Sequence, residues 1–179
     1  MSLIDKTYFV NDINIPSGSF DDGGTLMITR HEPDILKKLL GYELYKLVIA
    51  YDPDTSEQRI IDIVEGKEYL VGERLYKWNG LINTEKESLI AYYVYVQILR
   101  DRITHTATSG EIKPKYENSD QASVNMKTQS AWVKLRELYG SAFDFDYDFN
   151  SCYSFMLQNW QIYPEWLFTE IGSINAFDL

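Results

Sequence analysis

Leu89-Ile90-Ala91-Tyr92-Tyr93-Val94-Tyr95-Val96-Gln97-Ile98-Leu99 is apolar or aromatic at every position except Gln97. Polar residues from Thr84 to Ser88 precede it, and the charged Arg100-Asp101-Arg102 closes it. Apolar side chains at consecutive positions project all around a helix axis, so this segment predicts a helix buried by neighbours on several sides. Its length favours a helix over a strand, and it is far too short to span a bilayer. The fold is read around this segment, as mainly α-helical.

Working outward, Glu32-Pro33-Asp34 begins an amphipathic segment with apolar residues at 35, 36, 39, 40, 44, 47 and 48. Proline in the first turn with acids beside it is a helix start signal, because its missing N–H is one of the unsatisfied donors there. Asp52-Pro53-Asp54 breaks this helix, Thr55 or Ser56 is placed to cap a shorter one carrying Ile60, Ile61, Ile63 and Val64, and Gly66 ends it. On the other side, Ser119 or Asp120 is placed to cap a helix running through Tyr139, with Val124, Ala131, Trp132, Leu135, Leu138 and Tyr139 on one stripe and Gly140 at its end. A last apolar segment, Cys152 to Tyr163, is stopped by Pro164.

The remaining stretches lack helical period. Residues 67–81 alternate weakly around Gly72 and close on Asn79-Gly80, which predicts a small hairpin or irregular connector. Residues 104–118 are rich in Thr, Ser, Gly and Pro and read as a long polar loop. Residues 1–29 contain turn chemistry at Pro16-Ser17-Gly18 and Asp21-Asp22-Gly23-Gly24, and read as an extended N-terminal arm. The expected architecture is thus a helical bundle over residues 30–179 with an arm before it. The arm carries Tyr8, Phe9, Ile13 and Ile15, apolar groups that a free tail would leave in water. Together with Trp78 and His105 they are the candidate subunit contacts. The arm could pair with its own domain or lie across a neighbour; on the second option both the arm and the long loop are expected to be mobile alone and ordered by a neighbour.

Composition limits function. Seventeen Lys plus Arg against 27 Asp plus Glu give a net charge of −10, so the chain repels phosphate backbones and direct nucleic-acid binding is not expected. The aromatic content of 15% either builds a tyrosine-rich core or places rings on contact surfaces. Cys152 is the single cysteine, which rules out an intrachain disulfide and a multi-cysteine zinc site. The opening Met1-Ser2-Leu3-Ile4-Asp5-Lys6 has no basic region followed by a long apolar stretch, so the reading is of a soluble, cytoplasmic chain with no membrane association.

Reactive chemistry is sparse. His31, His105 and Cys152 are the groups that titrate near neutrality or act as nucleophiles, and neither histidine has a carboxylate or second histidine at ligand spacing. Cys152, beside Phe149 and Tyr153, reads as a buried inert thiol. Asp144, Asp146 and Asp148 alternate as in the first half of a calcium loop, but Phe149 stands where that loop needs glycine and Phe155 where it needs a bidentate acid. The run reads better as a half-buried extended segment. No catalytic residue, cofactor or metal is expected, and the chain reads as a structural or binding protein rather than an enzyme.

Several strings resemble an uncharacterised family encoded by tailed phages and prophages of gut Bacteroidetes, whose members resemble head–tail connector (adaptor) proteins. They are Arg30-His31-Glu32-Pro33-Asp34-Ile35-Leu36, Leu40-Gly41-Tyr42-Glu43-Leu44-Tyr45, Lys77-Trp78-Asn79-Gly80-Leu81 and Ser88-Leu89-Ile90-Ala91-Tyr92-Tyr93-Val94-Tyr95, followed by Glu117-Asn118-Ser119 and by Lys127 with Ala131-Trp132. The resemblance covers roughly residues 28 to 140. It implies a helical subunit that joins a ring between portal and tail, with itself and portal or tail proteins as partners and the virion neck as its final location. It carries over no catalytic residue. The alternative from the residues themselves is a small binding or regulatory module whose Trp78, Trp132, Trp160 and Trp166 line a ligand pocket.

Overall fold

The structure, a computed structural model, describes residues 2–15, 22–103, 105–107, 110–112, 124–141 and 149–171. It is mainly α-helical. Helices α1 (Asp22–Ile49), α2 (Gln58–Glu65), α3 (Leu89–Ile103), α4 (Val124–Tyr139) and α5 (Cys152–Gln158) are joined by hairpins β1–β2 (Lys67–Val71, Arg74–Trp78) and β3–β4 (His105–Ala107, Gly110–Ile112). No helix among the described residues is long and apolar enough to cross a membrane.

The central segment is helical, and every residue from Leu89 to Val96 is buried. α3 packs along both α1 and α4 and lies between them. It starts at Leu89, after the polar residues Thr84 to Ser88. Ser88 Oγ donates to the Leu81 carbonyl at 2.6 Å and accepts the Ile90 N–H at 3.3 Å, which makes Ser88 the cap. Asn83 closes the preceding loop by bonding both the N–H and the carbonyl of Glu87.

α1 differs from its expected course at both the start and the middle. It begins at Asp22, so Pro33 lies inside it; Thr29, whose carbonyl loses its N–H partner there, is exposed. At Gly41 the backbone turns to φ 77, ψ 166 and the helix breaks into two segments. A continuous helix would satisfy the Lys38, Leu39 and Leu40 carbonyls with the N–H groups of residues 42–44. Here the segment after Pro164 takes them: Thr169 N–H bonds Lys38 O at 2.8 Å, Trp166 Nε1–H bonds Leu39 O at 2.9 Å, and Leu167 N–H bonds Leu40 O at 3.2 Å.

The same device recurs at α2. Its C-terminal carbonyls are bound by Leu81 N–H on Ile63 O (3.3 Å), Ile82 N–H on Val64 O (2.9 Å) and Trp78 Nε1–H on Ile63 O (2.9 Å). Gly66 ends α2 as its position in the sequence predicts, with φ 97. The helix starts at Gln58 after Glu57, and no side chain of Thr55 or Ser56 caps it. Hairpin β1–β2 forms with Tyr69 opposite Tyr76 and Leu70 opposite Leu75, turning at Gly72.

The arm is corrected. Residues 22–29 belong to α1, and residues 2–15 fold onto the chain's own core through short 3-10 turns at Lys6–Tyr8 and Asn11–Ile13. Ile4, Tyr8, Phe9, Ile13 and Ile15 are all buried there. The physical reason is proximity: each side chain gains about 1.5–3 kcal/mol on leaving water, and the nearest apolar surface is intramolecular, with no association entropy to overcome. Glu32, only 2% exposed, fixes the segment by accepting the Leu3 N–H at 2.7 Å and the Ser2 hydroxyl. Burial raises its pKa, against those hydrogen bonds, which lower it.

The long loop contains the short β3–β4 hairpin, whose register places His105 opposite Ile112; residues 113–118 lie outside the described residues. α4 ends at Gly140 (φ 81), whose N–H bonds Arg136 O at 2.8 Å, as its sequence predicts; its proposed caps, Ser119 and Asp120, lie outside the described residues. The last apolar segment is helical only to Gln158, because Ser151 caps α5 and Asn159 closes it.

Candidate functional site

α4 turns two stripes to different surroundings. Ala131, Leu135 and Tyr139 are buried, and Tyr139 donates its hydroxyl to Thr169 O at 2.6 Å. The second stripe, Met126, Gln129, Ser130, Val133, Lys134 and Glu137, follows the i, i+3, i+4, i+7 spacing of one helix face. With Tyr92 of α3 and Asp12 of the second 3-10 turn it lines an open groove of about 430 Å³. Met126 is 72% exposed and Val133 51%.

Electrostatically the groove is acidic around one cation. Lys134 Nζ lies 2.9 Å from a Glu87 carboxylate oxygen and 3.5 Å from one of Glu137, and the Glu87 hydrogen bond holds its pKa above the ordinary lysine value. Burial raises the Tyr92 hydroxyl, and the Glu87 and Asp12 charges add to the effect. The protonated tyrosine and the charged lysine supply donors, and the Asp12, Glu87 and Glu137 carboxylates supply acceptors. Among the described residues there is no group of three or more metal-ligating side chains.

The residues singled out from sequence lie elsewhere. Tyr8, Phe9, Ile13 and Ile15 are buried in the chain's own core, so in this structure they present almost no surface to a neighbour. Trp78 is also buried, stacked at 6.3 Å on Phe155, with its indole N–H on α2. His105 is part of β3, and its side chain is outside the described residues. Of the four tryptophans expected to line a pocket, Trp132 is partly buried, Trp160 is exposed, and Trp166 joins Tyr153 and Phe168 in an aromatic cluster. None of them lines the groove. The acidic run at Asp144, Asp146 and Asp148 lies outside the described residues. The groove is not legible in the sequence because its stripe mixes Met and Val with amide, hydroxyl and charge, which imitates an ordinary solvated helix face.

Cys152 is fully buried at the start of α5, and burial pushes its thiol pKa well up. The folded protein should therefore resist thiol-specific alkylation at pH 8 and react at once in denaturant; rapid native labelling, read by mass, would contradict that burial. His31 is buried on α1, edge-on to Tyr93 at 6.4 Å, with Nδ1 3.9 Å from Asp34 and Nε2 buried without a hydrogen-bond partner among the described residues.

Burial lowers the His31 pKa below its ordinary 6.5, with Arg30 adding to the effect. The unfolded chain takes up this proton first, so the stabilisation is complete above about 6.5 and is lost as pH falls through the folded pKa. Glu32, raised from 4.5, works in the opposite sense: its stabilisation is complete below 4.5 and is lost as pH rises through its folded pKa. Urea midpoints measured from pH 7.5 downward should fall less steeply in His31→Phe than in the wild type. Parallel curves would remove the histidine contribution. Compared with known proteins, the chain matches no family model, no curated protein and no solved structure.

Proposed function

We propose that this chain is a virion structural protein of a tailed phage or prophage, a head–tail connector or adaptor subunit with a helical-bundle core. It acts by self-association and by docking to a portal or tail ring. The observation that carries the reading is where the resembling strings fall. Arg30–Leu36 and Leu40–Tyr45 make up most of the middle of α1, Lys77–Leu81 forms the hairpin base on α2, and Ser88–Tyr95 opens α3. These elements pack together, with the buried residues of the strings in the core; Lys127 and Ala131-Trp132 fall on α4, which packs on α3, and Glu117-Asn118-Ser119 lies outside the described residues.

Three buried ionisable groups support a structural role. Glu32 holds residues 2 and 3, Asp62 pairs with Lys67 at 2.5 Å and accepts from Gln58 at 2.9 Å, and Cys152 is sealed in the core. The quickest test is the DNA around the gene. Flanking portal, capsid and tail genes are the expected result, with the chain present by mass spectrometry in purified particles. A metabolic operon, or particles that lack the chain, would remove this function.

A further inference from the structure

We propose that the groove on α4 receives the exposed face of α1 from a second copy of the chain, head to tail. This rests on the self-association reading above and names the two surfaces that meet. The groove gathers the Asp12, Glu87 and Glu137 carboxylates against the single Lys134 ammonium, which is already bonded to two of them. α1 exposes Arg30, Lys37 and Lys38 with the single carboxylate of Asp34 among them; Lys37 and Lys38 lie over the Tyr45 and Tyr93 rings at 5.2 and 5.7 Å, and none of the three cations meets a carboxylate within ion-pair distance among the described residues. Exposed Leu26 lies one turn before Arg30 on the same face, and Lys37 follows two turns on.

Charge selects this pairing over the alternatives. Each copy carries a net charge of −10, so two copies approach against a general repulsion that only a complementary contact relieves. A two-fold contact centred on either surface would set acidic groove on acidic groove, or basic face on basic face. Groove on α1 face is the combination that joins opposite charges, and it also places exposed Leu26 against exposed Met126 and Val133. The lengths agree: Leu26 to Lys37 and Met126 to Glu137 each span about 16 Å at 1.5 Å per residue.

Two further features fit. α3 lies between α1 and α4, so a chain cannot fill its own groove with its own α1 face. After the first contact each copy still has one free surface, and such heterologous contacts continue into rings or filaments. The backbone around the groove is also held in place. Asn11 (φ 53) and Lys86 (φ 61), the non-glycine residues with left-handed backbone among those described, immediately precede Asp12 and Glu87. Strained positions of this kind persist where the fold fixes the direction of a functional side chain.

The test is sedimentation velocity on the full chain over rising concentration. The wild type should associate in low salt and dissociate in about 0.5 M sodium chloride, where the screening length is about 4 Å. The neutralised variants Arg30→Gln/Lys37→Gln and Asp12→Asn/Glu137→Gln alter exposed side chains, so they should keep wild-type melting curves and each remain monomeric. Mixed in equal amounts they retain one good groove and one good α1 face, and should form a dimer that grows no further. A wild type that stays monomeric at its highest soluble concentration overturns the contact, as does a mixture that stays monomeric. Variants that associate like the wild type also overturn it, while leaving self-association through another surface intact. Failure of the virion reading shows instead in the flanking genes.

Discussion

Val94→Asp is expected to abolish the cooperative unfolding transition. Val94 is fully buried in α3, between α1 and α4, and no cation on the neighbouring α3 positions is available to pair with a carboxylate placed there. An uncompensated polar group in such a site costs about 2–7 kcal/mol and an unpaired charge more, against a typical total stability of about 5–15 kcal/mol. Val94→Thr keeps the shape and buries only a hydroxyl, so it should lower the melting temperature while leaving a sharp transition. Ile90→Asp, also in a fully buried position, should behave like Val94→Asp. Circular dichroism melting decides the matter, and wild-type midpoints for both aspartate variants would contradict the central place given to α3.

The second large effect is expected at Gly80. Its backbone has φ 85, and a Cβ there would lie 2.5 Å from the Val64 carbonyl oxygen and 2.5 Å from the Glu65 carbonyl carbon. Both are backbone atoms at the end of α2, and they cannot swing aside as a side chain would. Gly66 faces the same junction with φ 97, and its own Cβ would meet the backbone at Trp78 and Asn79. The left-handed conformation costs a non-glycine residue about 1–2 kcal/mol, and overpacking adds about 1–3. Gly80→Ala should therefore lose at least 2 kcal/mol, roughly, in urea unfolding. Gly72→Ala, whose Cβ meets nothing within 4 Å, should lose only the conformational part. Equal losses at the two positions would show that the junction yields.

The contrast between these glycines also explains what the sequence reveals and what it conceals. α3 is legible because its apolar residues occupy every face, and Gly66 and Gly140 are legible as helix ends because nothing else ends a helix so readily. The break at Gly41 is not legible. Its local sequence, Leu39-Leu40-Gly41-Tyr42-Glu43, continues the helical period, and the partners that make the break tolerable lie at Trp166, Leu167 and Thr169. The early start of α1 was hidden by Pro33, which is a sound start signal and is tolerated here inside the helix. The course of residues 2–15 is not legible for a related reason. Nothing within residues 1–29 says that Glu32 will hold Leu3, or that the core has room for Phe9 and Ile13. At the groove, pattern gives the α4 stripe, but Asp12 and Tyr92 come from distant segments and arrive only through packing.

The splint that Trp166, Leu167 and Thr169 form on the broken helix has a consequence for the order in which the chain matures. Trp166 is 127 residues beyond its acceptor on Leu39. At about 5–20 residues per second, a ribosome needs roughly 6–25 seconds to supply the second half of that contact after the first has been made. Throughout that interval the Lys38, Leu39 and Leu40 carbonyls must be served by water or by a straight helix, and the bend cannot be stabilised by its final partners. The nascent chain thus passes through a stage in which α1 has a choice of shapes, and translation of the last aromatic stretch ends it.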